Sequence, residues 1–256
     1  MTDPQAIADA LIAAERDRTP ITPFTRTLPF LDAETAYKAQ TIMVDHRLQA
    51  GERLIGAKLG LTSKVKRTAL GIDEPVHGRL TSGMMIPPGE PVRLDELIHP
   101  HAEPEIAFLI GRRIEAPTTV AGVLAATEAV LGAVEVGDSR YRQPFRLPDS
   151  VADNAGAARV VLGGNARRPN ELEDLCVLGC LFRHRHGLTT AAGGAAMGHP
   201  AAAVAWLVHT LGARGECLEA GSVVLSGGLT ASVPLLTYGV VTAEFDGLGS
   251  VVAHCR

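Results

Sequence analysis

Aromatic residues are scarce in this chain: one Trp, three Tyr and six Phe among 256 residues. Lys and Arg are dispersed and the formal net charge is −4. A nucleic-acid binder shows a basic stripe with interleaved aromatics, so nucleic acid is excluded as a partner. No run of eighteen apolar residues occurs, and the polar start Met1-Thr2-Asp3-Pro4-Gln5 leads into an alanine-rich segment and not a signal core. No membrane partner is therefore expected, and the cytoplasm is the expected location. The four cysteines (Cys176, Cys180, Cys217, Cys255) lack paired C-x-x-C spacing, so a zinc cluster is absent and buried free thiols are expected. Gly-rich turns at 163–164, 227–228 and 247–249 match neither a dinucleotide fingerprint nor a P-loop, which argues against nucleotide binding.

What the chain does have is apolar material, 46% of its residues, enough for a substantial core. Asp3 followed by Pro4 predicts a capped helix to about Arg16. Asp32 caps a second helix, whose Tyr37, Thr41, Val44 and Leu48 recur at helical intervals until Gly51 stops it. Residues 1–52 are read as a helical appendage. From Arg53 onward, short apolar runs punctuated by Gly and Pro read as a sheet-rich domain, 53–256. Strands are expected near 54–60, 105–111, 133–136, 158–162, 175–184, 222–226 and 240–245. Helices are expected over 62–70, from Thr118 or Thr119 to about Leu131, and from Pro200 behind an N-cap His199. The 137–150 loop holds Pro144 and Pro148, is too long for a hairpin, and is a candidate lid or site wall.

The chemistry concentrates in three acids and one lysine. Glu103 and Glu105 stand one residue apart at the mouth of an apolar strand, so both project from one face about 6–7 Å apart, a spacing that suits a shared cation. Glu135 lies between Val134 and Val136, a third acid in apolar surroundings. Lys58 alternates with Gly56 and Gly60, so it looks into open space, either a pocket or solvent.

Five stretches then occur in one order: Gly56-Ala57-Lys58-Leu59-Gly60-Leu61-Thr62-Ser63, Ile98-His99-Pro100-His101-Ala102-Glu103-Pro104-Glu105-Ile106, Glu135-Val136-Gly137-Asp138-Ser139-Arg140-Tyr141, Val151-Ala152-Asp153-Asn154-Ala155 and Gly247-Leu248-Gly249-Ser250-Val251. Over nearly its whole length the chain resembles the 4-oxalocrotonate decarboxylase and 2-hydroxypenta-2,4-dienoate hydratase family of the fumarylacetoacetate hydrolase superfamily. The resemblance implies an α+β fold, a mixed β-sheet roll with a small N-terminal helical part. It implies Mg²⁺ or Mn²⁺ held by Glu103, Glu105 and Glu135, with Lys58 as the catalytic residue facing the ion. A donor set of carboxylates alone agrees with a hard cation. An ion there would lower the pKa of Lys58. Leu59, Asn154, Gly156 and Thr230 are the expected substrate-lining residues.

Hydratases of the family carry an acid at the place of Val76, and the stretches 138–141 and 226–234 also look like the decarboxylase side. The expected reaction is therefore decarboxylation of 4-oxalocrotonate or a relative in meta-cleavage breakdown of aromatic compounds. A 2-keto-4-pentenoate hydratase and a non-catalytic subunit are the alternatives. A small 2-oxo acid, further copies of the chain and a homologous hydratase are the expected partners. Gly156 departs from the serine usual in both branches: either a backbone N–H replaces the hydroxyl, or the substrate differs.

Overall fold

The computed structural model describes residues 3–70 and 72–256, and for residues 66, 69 and 70 the backbone alone. Two helices open the chain, α1 (Pro4–Asp17) and α2 (Ala33–Gln49). The side chains of Asp3 and Asp32 cap them by accepting the N–H groups of Gln5 and Thr35. Then follow β1 (Leu54–Gly60), α3 (Lys64–Leu70), β2 (Val76–Thr81), β3 (His101–Ile110), α4 (Val120–Ala126), β4 (Thr127–Gly137), α5 (Leu147–Ala152) and β5 (Ala157–Leu162). The remainder comprises β6 (Gly179–His184), β7 (Gly187–Ala192), α6 (Pro200–Gly212), β8 (Val223–Leu225), β9 (Val233–Pro234), β10 (Gly239–Phe245) and β11 (Gly249–Cys255).

Two sheets carry the domain. The larger is mixed and runs β2-β1-β8-β3-β4-β5, with β9 paired to β3; the smaller runs β11-β10-β6-β7. Alternation along β3 sends Ile106, Phe108 and Ile110 into a core shared with Phe182, Val204, Leu207 and Phe245, which joins the larger sheet to α6 and the smaller sheet. The opposite face of β3 carries Glu103, Glu105 and Ala107, and Ala107 packs with Leu80, Met84, Ala133 and Leu225. The acids therefore occupy the face turned away from the main core.

The appendage does not stand apart. Ile7, Leu11, Ala36, Ala39 and Met43 share one apolar cluster with Val76, Tyr141, Val151, Ala152 and Ala155. The buried face of α2 is Ala36, Ala39, Gln40, Met43 and Val44, not the Tyr37, Thr41 and Leu48 stripe expected from spacing. Small alanines allow close approach, and the Gln40 amide is spent on the carbonyls of His77 and Val151 at 3.0 and 2.9 Å. A second correction concerns α4, which ends at Ala126 and not near Leu131. From Thr127 the chain pairs continuously with β3, and the β-branched Val130, Val134 and Val136 bury in that sheet, so long-range pairing overrides local helical preference. Strands β2, β7 and β11 and helix α5 are further elements that the sequence pattern left undivided from loops.

On β2, His77 is 1% exposed and stacks on Tyr37 at 4.7 Å. Burial, then the charges of Arg79 and Arg214, push its imidazole down from 6.5 to about 3. Between those values the unfolded chain binds a proton that the folded chain refuses, so stability is lost as pH falls through this window. Urea unfolding at pH 7.5 and pH 5 is expected to show about 2 kcal/mol lost through this ring, with a shallower pH dependence in a His77→Gln variant.

Candidate active site

Cross-strand register brings the acids together. In the β3–β4 ladder Glu103 lies directly opposite Glu135, and Glu105 lies opposite Ala133, so all three carboxylates share one face. One oxygen from each falls within a 4.8 Å cluster. Glu105 and Glu135 are 0% and 1% exposed, while Glu103 is half-buried at the opening. Lys58 enters from β1: its ammonium lies 3.0 Å from Glu135 Oε1 and donates to the carbonyl of Ala155 at 3.0 Å. That carbonyl is presented by a turn in which Asn154, Ala155 and Gly156 all have positive φ.

Strand β8, between β1 and β3, stops at Leu225, paired to both Lys58 and Ala107. Just beyond its end, Gly227 N–H donates to Glu105 Oε2 at 2.6 Å. Two glycines make this approach possible. Gly227 has φ +106° and a Cβ there would lie 2.2 Å from Thr62 Oγ1, while a Cβ on Gly228 would lie 2.7 Å from the Glu103 carboxyl carbon.

The three carboxylates crowd one another, and Lys58 answers Glu135 directly. Burial, then the neighbouring Glu135 carboxylate, raise Glu105 well above the ordinary carboxylate range, with Lys58 pulling the other way. Burial by itself would push Lys58 down, but Glu135, Glu105 and Glu103 outweigh it and the amine sits above its usual value. This reverses the direction expected with an ion bound, because the acids face the amine directly. Glu105 Oε1 and Glu135 Oε2 are buried without a hydrogen-bond partner. These orphaned oxygens, in a donor set made of carboxylates alone, fit a divalent cation such as magnesium.

The cluster opens into a cavity of about 630 Å³, whose lining includes Lys58, Glu103, His101, Ser139, Asp153, Gly156 and Ser232. Its apolar wall is Leu61, Ile72, Val76, Phe145, Leu147 and Pro148. Phe145, Leu147 and Pro148 belong to the 137–150 segment expected as a site wall. Of Leu59, Asn154, Gly156 and Thr230, Gly156 is on this cavity's lining. The Leu59 side chain is buried in the main core. Asn154 spends its side chain on Arg79, accepting its N–H at 2.7 Å and donating to its carbonyl at 2.9 Å. Thr230 Oγ1 donates to the Ala231 carbonyl at 2.9 Å. Gly156 does line the cavity, yet its N–H donates to the Asp153 carbonyl at 2.9 Å, so it is not left to replace a missing hydroxyl.

Sequence reasoning assigned no role to His101, Ser139 or Asp153, although each lies in a quoted motif. The wall they form is braced. Asp138 accepts the N–H groups of Ile98 and His99 at 3.0 and 2.5 Å, fixing the approach to β3. Arg140, 1% exposed, reaches Asp153 at 3.3 Å and Glu15 on α1 at 3.2 Å. Burial pushes the Asp153 carboxyl up to about 7 against the pull of Arg140.

No protein-family profile matches the chain. Individual proteins do. It is 37% identical to a 4-oxalocrotonate decarboxylase from Pseudomonas sp. (strain CF600), over 97% of this chain and 95% of that one. It is 40% identical to a 2-keto-4-pentenoate hydratase from Burkholderia vietnamiensis (strain G4 / LMG 22486), over 99% and 98%. The chain belongs to the family of 4-oxalocrotonate decarboxylases and 2-keto-4-pentenoate hydratases. Both named activities of this family are lyase activities. A solved 4-oxalocrotonate decarboxylase from Pseudomonas putida G7, complexed with magnesium and adipate, superposes with a TM-score of 0.93 at 34% identity, covering 99% of this chain and 97% of that one. Fumarylpyruvate hydrolase from Pseudomonas aeruginosa shares the fold alone, with a TM-score of 0.61 at 12% identity over 78% and 88% of the two chains. The α+β fold, a mixed-sheet roll shared with these solved structures, is thereby established. No helix among the described residues is long and apolar enough to cross a membrane.

Calorimetric titration with Mg²⁺ is expected to show one site per chain. Glu105→Gln or Glu135→Gln should weaken it by more than the roughly 10–100-fold that outer-shell changes cost. Undiminished uptake by both variants would remove the metal site.

Proposed function

We propose that this lyase decarboxylates 4-oxalocrotonate, or a closely related 2-oxo-3-enedioate, in the meta-cleavage breakdown of aromatic compounds. The observation that carries the reading is a cavity with Glu103, Glu105, Glu135 and Lys58 at one end and an apolar wall built on Val76 beside it. Val76 is 3% exposed and stands where the hydratase branch is expected to carry an acid. The magnesium and adipate bound to the Pseudomonas putida G7 relative support a divalent ion and a diacid here.

The roles follow from charge and position. Glu103, Glu105 and Glu135 would hold Mg²⁺ or Mn²⁺, which supplies Lewis-acid stabilisation of the charge arriving at the substrate's 2-oxo oxygen. The bond between the distal carboxylate and its neighbouring carbon breaks and carbon dioxide leaves. The electron pair moves through the conjugated system to the 2-oxygen, which gains a proton, giving a 2-hydroxydienoate. Lys58 Nζ, beside the acids at the same end of the cavity, faces the negative charge as it develops and carries the proton. Leu61, Ile72, Val76, Phe145 and Leu147 line the same cavity and limit water around the reacting carbons of the substrate. Gly156 lines the same cavity, and residues 53–256 supply every acid and the amine. Assembly with further copies, or with a homologous hydratase that consumes the product, belongs to the same proposal.

The pure protein with Mg²⁺ and 4-oxalocrotonate is expected to release carbon dioxide and form 2-hydroxypenta-2,4-dienoate. Lys58→Ala should lower kcat by about 10²–10⁴-fold. Water addition to 2-hydroxypentadienoate without carbon dioxide release would assign the chain to the hydratase side. A Lys58→Ala variant that behaves like the parent in every assay would instead mark a non-catalytic binder.

A further inference from the structure

The cavity lining carries a cation that nothing in the site yet uses. Besides Lys58 and His101 beside the carboxylates, Arg146 is the positively charged residue among the described residues lining the cavity. Arg140 is committed to Glu15 and Asp153, Arg159 to Glu96, and Arg67 to the carbonyls of Leu61 and Thr62. The Arg146 guanidinium has no ion-pair partner among the described residues. Its backbone, in contrast, is fixed. Arg146 N–H donates to Asp149 Oδ2 at 2.9 Å, and Asp149, 0% exposed, is held by the N–H and hydroxyl of Thr25 at 3.0 and 2.5 Å. Phe145 and Leu147 on either side also line the cavity, so an exposed charged side chain stands on a rigid base between two half-buried apolar neighbours.

A diacid that directs its 2-oxo acid end toward Glu103, Glu105, Glu135 and Lys58 must place its second carboxylate elsewhere along that lining. An unpaired carboxylate there is costly, whereas a planar guanidinium offers paired donors. We infer that Arg146 selects dicarboxylate substrates by pairing with the carboxylate remote from the acid cluster. The identity of the substrate rests on the decarboxylase reading; the ionic contact does not. Because that carboxylate loses its charge as carbon dioxide leaves, the contact is made in the ground state and weakens in the transition state. Arg146 thus sets KM and selectivity, and gives no acceleration.

The test uses the Mg²⁺-loaded protein and two probes, adipate and monomethyl adipate, which differ by one charge. By calorimetry the parent should prefer adipate by about five- to twentyfold. Arg146→Gln should abolish that preference by weakening adipate alone, Arg146→Lys should keep part of it, and Mg²⁺ affinity should stay unchanged in both, which shows that the site is intact. In turnover with 4-oxalocrotonate, Arg146→Gln should raise KM by a similar factor without lowering kcat. A parent that does not distinguish the probes, or an Arg146→Gln variant that still does, overturns the inference. Charge selection lost with Arg146 in a protein that releases no carbon dioxide would uphold it while removing the decarboxylase reading.

Discussion

Mutual repulsion among buried carboxylates governs this molecule. Like charges set opposite each other across two strands work against the sheet that holds them, as Glu103 and Glu135 do, and Glu105 adds a third in a place that water barely reaches. The Lys58 ammonium meets Glu135 and the Gly227 N–H meets Glu105, yet Glu105 Oε1 and Glu135 Oε2 stay buried without a hydrogen-bond partner. The arrangement makes sense as a cation site assembled in advance, stabilised when a divalent ion binds those oxygens. Local details serve this purpose: β8 ends early enough for Gly227 to turn toward Glu105, and Gly228 leaves room for the Glu103 carboxyl.

The rest of the chain keeps the walls of that site in place. The N-terminal helices reach it through polar contacts as well as apolar packing: Thr25 holds Asp149 at the base of the wall, and Glu15 holds Arg140, which in turn holds Asp153. Sequence order makes residues 1–52 look like an appendage, yet the helices close one flank of the cavity by sharing a core with Val76, Val151 and Ala155. A turn of three consecutive left-handed residues, 154–156, is kept because it aims the Ala155 carbonyl at Lys58.

How much of this could be read from sequence depended on how local the cause was. Caps and alternation were legible in part: Asp3 and Asp32 open the first two helices where expected, whereas Lys58, expected to look into open space, lines the cavity but is itself buried against Glu135 and Ala155. The cluster of Glu103 and Glu105 followed from a spacing of two. That Glu135 joins them required the β3–β4 register, which no local pattern states, and the same pairing hid the start of β4 inside a stretch that reads as helix. The buried face of α2 was placed only in part: Val44 lies on it, but Ala36, Ala39, Gln40 and Met43 make up the rest. Leu59 and Asn154 carry the family's motif but turn toward the core and toward Arg79. Arg146 lies in a segment legible only as a long loop, since its importance comes from what the fold puts opposite it.

The most direct measurement is a crystal structure of the protein soaked with Mn²⁺, with the ion located by anomalous scattering. The account predicts one peak per chain at bonding distance from Glu103, Glu105 and Glu135, with the Lys58 ammonium no longer paired to Glu135. A peak elsewhere, or acids still clustered around Lys58 with no ion among them at saturating Mn²⁺, would contradict it.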